Sequence, residues 1–277
     1  MTVSLLQGVT HACFGLSYLC AFVLELARMF WPGTGWRVAS LSFGIVGFVA
    51  HTFYITLNLP SPATPYGSLV ILALVLAVFY IWGTIHHPKQ AWGVFVLPVV
   101  IGLVGMSFVL LHSEEPNSPV GMLGWVSGEH FWGAIHGILI LFAAIGVSVG
   151  FLASIMYLIQ ARRLRNKVLP GRGVPLLNLE RLETMNRRAV NWTVPFLTVG
   201  LLVGTLLIRQ NRDLGESWLS LKVISTTGLW VIFLVLLYMR YGTHVAPRRL
   251  AVLSIVAFGL MLIALGTAHP FAEGGMK

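Results

Sequence analysis

The chain has 277 residues, of which 57% are hydrophobic and only 10% charged, and its mean hydropathy is +0.84. That composition excludes a water-soluble domain of this size, because apolar stretches recur at the length, about 20 helical residues, that crosses the hydrocarbon core. The formal net charge of +9 would point to nucleic acid in a soluble protein. In so apolar a chain it reads as loops facing anionic lipid, and no nucleic-acid partner is expected.

Lipid offers the backbone no hydrogen-bond partners, so spanning segments should be helices. The expectation is an all-α polytopic transmembrane bundle of about eight spans, forming one integral membrane domain over residues 1–277. The first span, 5–29, contains Cys13 and Cys20, seven residues apart on one helix face. They read as small packing residues and leave no disulfide framework. Glu25, the only acid within a span, lies one turn before Arg28 and can pair with it. No basic region precedes this run, which argues against a cleaved signal peptide.

The second span, 38–58, carries His51; the third, 67–86, ends at His86 and His87; the fourth, 92–112, ends at His112. The fifth, 131–160, is long enough to tilt or to project from the bilayer. The stretch LLNLERLETMNRR, 176–188, sets apolar residues at helical spacing with charges between, and predicts a short helix on the membrane surface. Spans 190–209, 219–240 and 249–268 complete the chain.

Orientation follows from Lys and Arg. The 161–189 connection holds Arg162, Arg163, Arg165, Lys167, Arg172, Arg181, Arg187 and Arg188. With that side inside, alternation adds Arg28, Arg37, Lys89, Arg240, Arg248 and Arg249. Fourteen of the 18 basic residues then face inward. Arg209, Arg212, Lys222 and Lys277 remain outside, and both termini are expected outside.

A histidine within a membrane demands an explanation. His86, His87 and His244 fall at the inner boundary, whereas His11, His51, His112, His130, His136 and His269 fall outward. Two such imidazoles on different helices can be the axial ligands of a haem in an apolar pocket. Position alone leaves open a proton relay, a metal site or single interhelical hydrogen bonds. No phosphate-binding glycine loop, zinc spacing or nucleophile elbow is present.

Several segments carry a likeness to a known family. NLPSPATPYGSLVIL, 58–72, is similar to an outer segment in which a proline-containing stretch leads into Tyr-Glu-Ser-Leu, with Gly67 in place of the Glu. HGILILFAAIGVSVGFLASIMYLIQARRLRNK, 136–167, is similar to a His-initiated span ending in a basic run. PLLNLERLETMNRRAVNWTVPFLTVGLLVGTL, 175–206, is similar to a leucine–glutamate–leucine connector followed by a span with a late glycine. LGTAHPF is similar to a Gly-Leu-His ending. With these segments the chain resembles, from about residue 50 to 270, the CcsA/ResC-type cytochrome c assembly proteins, and especially their HemX-like and YpjD-like members.

The resemblance implies a haem-handling membrane protein of the bacterial plasma (inner) membrane. Its haem b would be held between two outer histidines, which by position are His136 and His269. The family's Trp-Gly-x-x-Trp-x-Trp-Asp loop, followed by Pro-Lys-Glu, corresponds here to RQNRDLGESWLSLKVIS. Only Trp218 and Lys222 match, and Arg240 stands about where the family has a further histidine. Trp218, Trp132, Trp125 and Phe131 are candidate haem walls, and Arg209, Arg212 and Lys222 candidate propionate partners. Without the full tryptophan platform, haem relay, delivery or regulation in cytochrome c assembly is expected, and synthase catalysis is not. The partners implied are haem, apocytochrome c and other maturation proteins of the membrane, including a haem-trafficking or thiol-reducing one. The alternatives are a solute transporter and a membrane b-type cytochrome serving quinol electron transfer.

Overall fold

The computed structural model describes residues 11–31, 33–60, 62, 64–88, 90–111, 131–167, 176–210, 221–243 and 245–266. Among the described residues there are eight helices: α1 His11–Phe30, α2 Thr34–Asn58, α3 Pro65–His86, α4 Trp92–Leu111, α5 Phe131–Arg165, α6 Leu179–Gln210, α7 Leu221–Tyr241 and α8 Pro247–Gly266. All eight are long and apolar enough to cross a membrane, and no strand occurs among the described residues. The protein is a multi-pass membrane protein. It packs as two compact units, the first built on α1–α4 and the second on α5–α8 together with the short segment 61–68.

In the first unit, α1 and α2 meet along matching stripes. The buried positions of α1 are His11, Phe14, Tyr18, Ala21 and Glu25, and those of α2 are Ser40, Gly44, Gly47, His51 and Tyr54. Both stripes step by three and four residues, the spacing of a left-handed helix pair. Two glycines let rings lie flat on α2. A Cβ at Gly47 would stand 2.9 Å from the Tyr18 ring, and one at Gly44 would collide with Tyr80 of α3. In lipid, close contact of this kind and internal hydrogen bonds hold helices together, since hydrocarbon tails are as apolar as the side chains.

Several polar groups of this seam are paired across helices. His11 Nε2 meets Ser107 Oγ at 2.9 Å, and Tyr18 Oη meets His51 Nδ1 at 3.2 Å. At the basic end, Ser40 Oγ lies 2.9 Å from Tyr80 Oη and 3.3 Å from Glu25 Oε1. The sequence-expected pair forms: Arg28 Nη1 is 3.5 Å from Glu25 Oε2. Arg28 also donates to the Pro88 carbonyl and Arg37 to that of Thr84, which ties α1 to the α3–α4 turn and α2 to the last turn of α3. Cys13 and Cys20 form no disulfide and are exposed, so they do not pack into the core as expected. The stripe that carries them points away from α2 because His11, Phe14 and Tyr18 occupy the buried face.

In the second unit, α5 and α6 form the most extensive helix pair. Small residues on both make this possible. Gly146 and Gly150 of α5 face Ala189 and Thr193 of α6, and Gly200 and Gly204 of α6 face Ile140 and His136 of α5. Each is a small-xxx-small stripe that lets backbones approach. Asn186, buried on α6, donates to the Gly150 carbonyl, Ser154 Oγ and Ser254 Oγ, and its Oδ1 accepts from Arg240 Nη2 at 2.9 Å. This knot joins α5, α6, α7 and α8.

One expectation is corrected here. The surface helix expected over 176–188 and the span expected over 190–209 are one continuous helix, Leu179–Gln210, about 48 Å long at 1.5 Å per residue. Nothing in Arg188-Ala189-Val190-Asn191 breaks a helix, and Leu182, Asn186, Ala189 and Thr193 are buried along a single stripe. The stripe commits the connector to the bundle. Its start is capped by Asn178, whose Oδ1 accepts from Arg181 N at 3.0 Å.

Candidate functional site

At the end of the second unit opposite its arginines lies a cavity of about 180 Å³. Apolar side chains dominate its wall, among them Ile140, Leu141, Leu197, Leu201, Met261 and Leu265. The polar groups are few: His136, Ser68 and the hydroxyls of Thr205, Thr226 and Thr227. Such a cavity, apolar with a handful of placed polar groups, has the chemistry of a small-molecule site.

His136 is held by α6. Its Nδ1 donates to the Gly200 carbonyl at 2.8 Å. Gly204 makes room for the ring, for a Cβ there would lie 2.8 Å from His136 Cε1. A carbonyl can only accept, so Nδ1 carries the proton and, in the neutral ring, Nε2 carries the lone pair. Ligating histidines are oriented in this way, with the second nitrogen bonded to a carbonyl or carboxylate. Gly200 and Gly204 went unnoticed as site residues in the sequence. Their signal was the four-residue glycine spacing in GLLVG.

The remaining sequence-derived candidates divide into two groups. Trp132 and Phe131 are exposed, pack edge to face with centroids 5.7 Å apart, and do not line the cavity. Arg209 is exposed on the last turn of α6, one turn beyond the cavity-lining Thr205. Lys222 is in the first turn of α7, with its side chain outside the described part. His269, Trp218, Arg212 and Trp125 lie outside the described residues, as do His112 and His130. Arg240, where the family would offer a histidine, is engaged with Asn186 Oδ1 and the Glu183 carbonyl.

The family model of the cytochrome c assembly protein matches residues 63–268, about three quarters of the chain. The chain belongs to this family. Its role is therefore in cytochrome c biogenesis, in the membrane, and the match covers α3 through α8. No curated protein and no solved structure matches it significantly.

Proposed function

We propose that the protein is a haem-handling component of cytochrome c assembly, of the HemX-like and YpjD-like kind, that binds haem b between His136 and His269 on the outer face of a bacterial plasma membrane. The observation that carries this reading is the His136 Nδ1–Gly200 carbonyl bond at an apolar cavity, which readies Nε2 to donate to iron. The donor set and the apolar wall fit a porphyrin edge. At about 180 Å³ the cavity takes only part of the macrocycle, against the roughly 300–1,000 Å³ of whole ligand pockets.

His269 supplies the second imidazole, and Trp218 and Trp132 add aromatic wall. Arg209, Arg212 and Lys222 meet the propionates. Both termini lie outside, in keeping with the distribution of basic residues. With most of the family's tryptophan loop replaced, the protein relays, delivers or regulates haem by reversible binding and forms no thioether bonds itself. Apocytochrome c and other maturation proteins are its partners.

The test is the absorption spectrum of the detergent-purified protein, with and without reductant. A b-type Soret band is expected, weakened or shifted by His136→Ala and by His269→Ala. Joint replacement of Arg209, Arg212 and Lys222 by Gln should lower haem occupancy. A wild-type protein that stays colourless when haem is supplied overturns the reading.

A further inference from the structure

The cavity of the second unit reaches the helix ends on one side only. There it is lined by Ile208 in the last turn of α6, Val223 in the first turn of α7 and Leu265 in the last turn of α8. Toward the other end, which carries Arg162, Arg248 and Arg249, its last lining residues are Ala144, Leu197, Leu229 and Met261. Further along the same four helices comes the knot of Asn186 with Ser154, Arg240 and Ser254. At 1.5 Å per residue, the stretch between cavity and knot is about 10 Å on α8, from Met261 to Ser254, and about 16 Å on α6, from Leu197 to Asn186.

That stretch is closely packed on every helix. Val147 and Ala153 of α5, Val190 of α6, Phe233 and Leu236 of α7 and Ala257 of α8 are buried. The rings of Phe151 and Phe258 stack with centroids 4.0 Å apart, and a Cβ at Gly146 would collide with Thr193. Its buried hydroxyls, Ser148 and Thr193, donate to the Ala144 and Ala189 carbonyls of their own helices and so mark no polar path between helices. Beyond the knot, a void of about 10 Å³ beside Tyr157, Glu183 and Arg240 has room for about one water molecule. Opening this end means parting helices that Asn186 joins, since it donates to α5 and α8 and accepts from α7. In a dry interior those bonds are stronger than in water.

We infer that the second unit is a blind chamber, which its ligand enters and leaves at the end where His136 stands. The arginine end has no route to the site. An alternating-access transporter, which opens its site to each side in turn, does not fit this unit. The closed end is a property of the packing and holds for any ligand. One consequence rests on the haem reading: the unit does not carry haem across the membrane, so a separate transmembrane step must supply the haem that His136 takes.

The test is thiol accessibility and needs no haem. In the full-length protein carrying Cys13→Ser and Cys20→Ser, one cysteine is introduced at a time: Ala144→Cys at the base of the chamber, or Arg249→Cys in the exposed first turn of α8. Sealed membrane vesicles of both orientations are treated with a small, charged, membrane-impermeant methanethiosulfonate. Vesicles in which Arg249→Cys reacts identify the arginine side. From that side Ala144→Cys should react at least an order of magnitude more slowly than from the opposite side. Similar rates from the two sides, faster reaction from the arginine side, or no reaction from either side overturns the inference. Ala264→Cys, also on the chamber wall, takes over if Ala144→Cys does not accumulate. Haem added beforehand should slow the labelling. One-sided labelling that haem leaves unchanged counts against the haem reading and not against the chamber.

Discussion

Replacing Gly204 by alanine perturbs the cavity at one point. The new Cβ would lie 2.8 Å from His136 Cε1 and 3.2 Å from Nδ1. Carbon atoms settle at roughly 3.5 Å or more, so the ring must retreat by about 0.7 Å or more. Its Nδ1–Gly200 O bond, now 2.8 Å, is then drawn past the roughly 3.2 Å limit of a good N–H···O bond. Losing the partner that orients a ligating histidine lowers metal affinity by about 10–100-fold, which is about 1.4–2.8 kcal/mol. Folding responds differently. Alanine gains about 1 kcal/mol over glycine within a helix, and displacing a tethered ring costs about 1–3 kcal/mol, so the net change in stability is small. The assay is a haem titration followed at the Soret band, beside thermal unfolding of the same sample. Gly102→Ala is the control, since nothing lies within 4 Å of a Cβ there. The reasoning fails if Gly204→Ala binds haem with wild-type affinity and an unshifted band.

Other expectations follow from the same geometry. Gly44→Ala drives a methyl into the Tyr80 ring and strains the Ser40–Tyr80 bond; thermal unfolding should register a loss of about 1–3 kcal/mol, whereas Gly102→Ala should gain about 1 kcal/mol. Asn186→Leu removes the acceptor of Arg240 and the donor to Ser154 and Ser254. Ser154, Ser254 and Arg240 keep their bonds to the Gly150, Leu250 and Glu183 carbonyls, so losing the Asn186 bonds should destabilise the second unit by about 1–3 kcal/mol, seen as a lower midpoint. Trp230→Phe deletes the 2.9 Å bond from Nε1 to Thr198 Oγ1, and a loss of about 1 kcal/mol is expected. An unchanged midpoint would show that the hydroxyl finds another donor.

Hydropathy located seven of the eight spans to within a few residues; the sixth was joined to its connector, and the start of the first lies outside the described part, because lipid makes length and apolarity nearly sufficient for a helix. The Glu25–Arg28 pair was legible too, since its partners are one turn apart. The connector's fusion with the sixth span was not. Its charges suggested a surface helix, while the deciding fact was that Leu182 and Asn186 are buried against neighbouring helices. The seam of the first unit was hidden for a related reason. Ser40, His51, Tyr80 and Ser107 come from three different helices, and a window average dilutes each one. At the cavity, His136 could be named from the resemblance of its His-initiated span, but its carbonyl partner could not, because a backbone atom 64 residues away leaves no mark in composition.

The three-and-four stepping of α1 also makes that helix intolerant of any change in length. One residue inserted between Tyr18 and Glu25 would turn everything beyond it by about 100°. The carboxylate would then leave Ser40 and swing toward acyl chains, taking Arg28 with it away from the Pro88 carbonyl. Substitution is open to this helix as it diverges, at the lipid-facing positions that Cys13 and Cys20 now occupy. Insertion and deletion are confined to its ends.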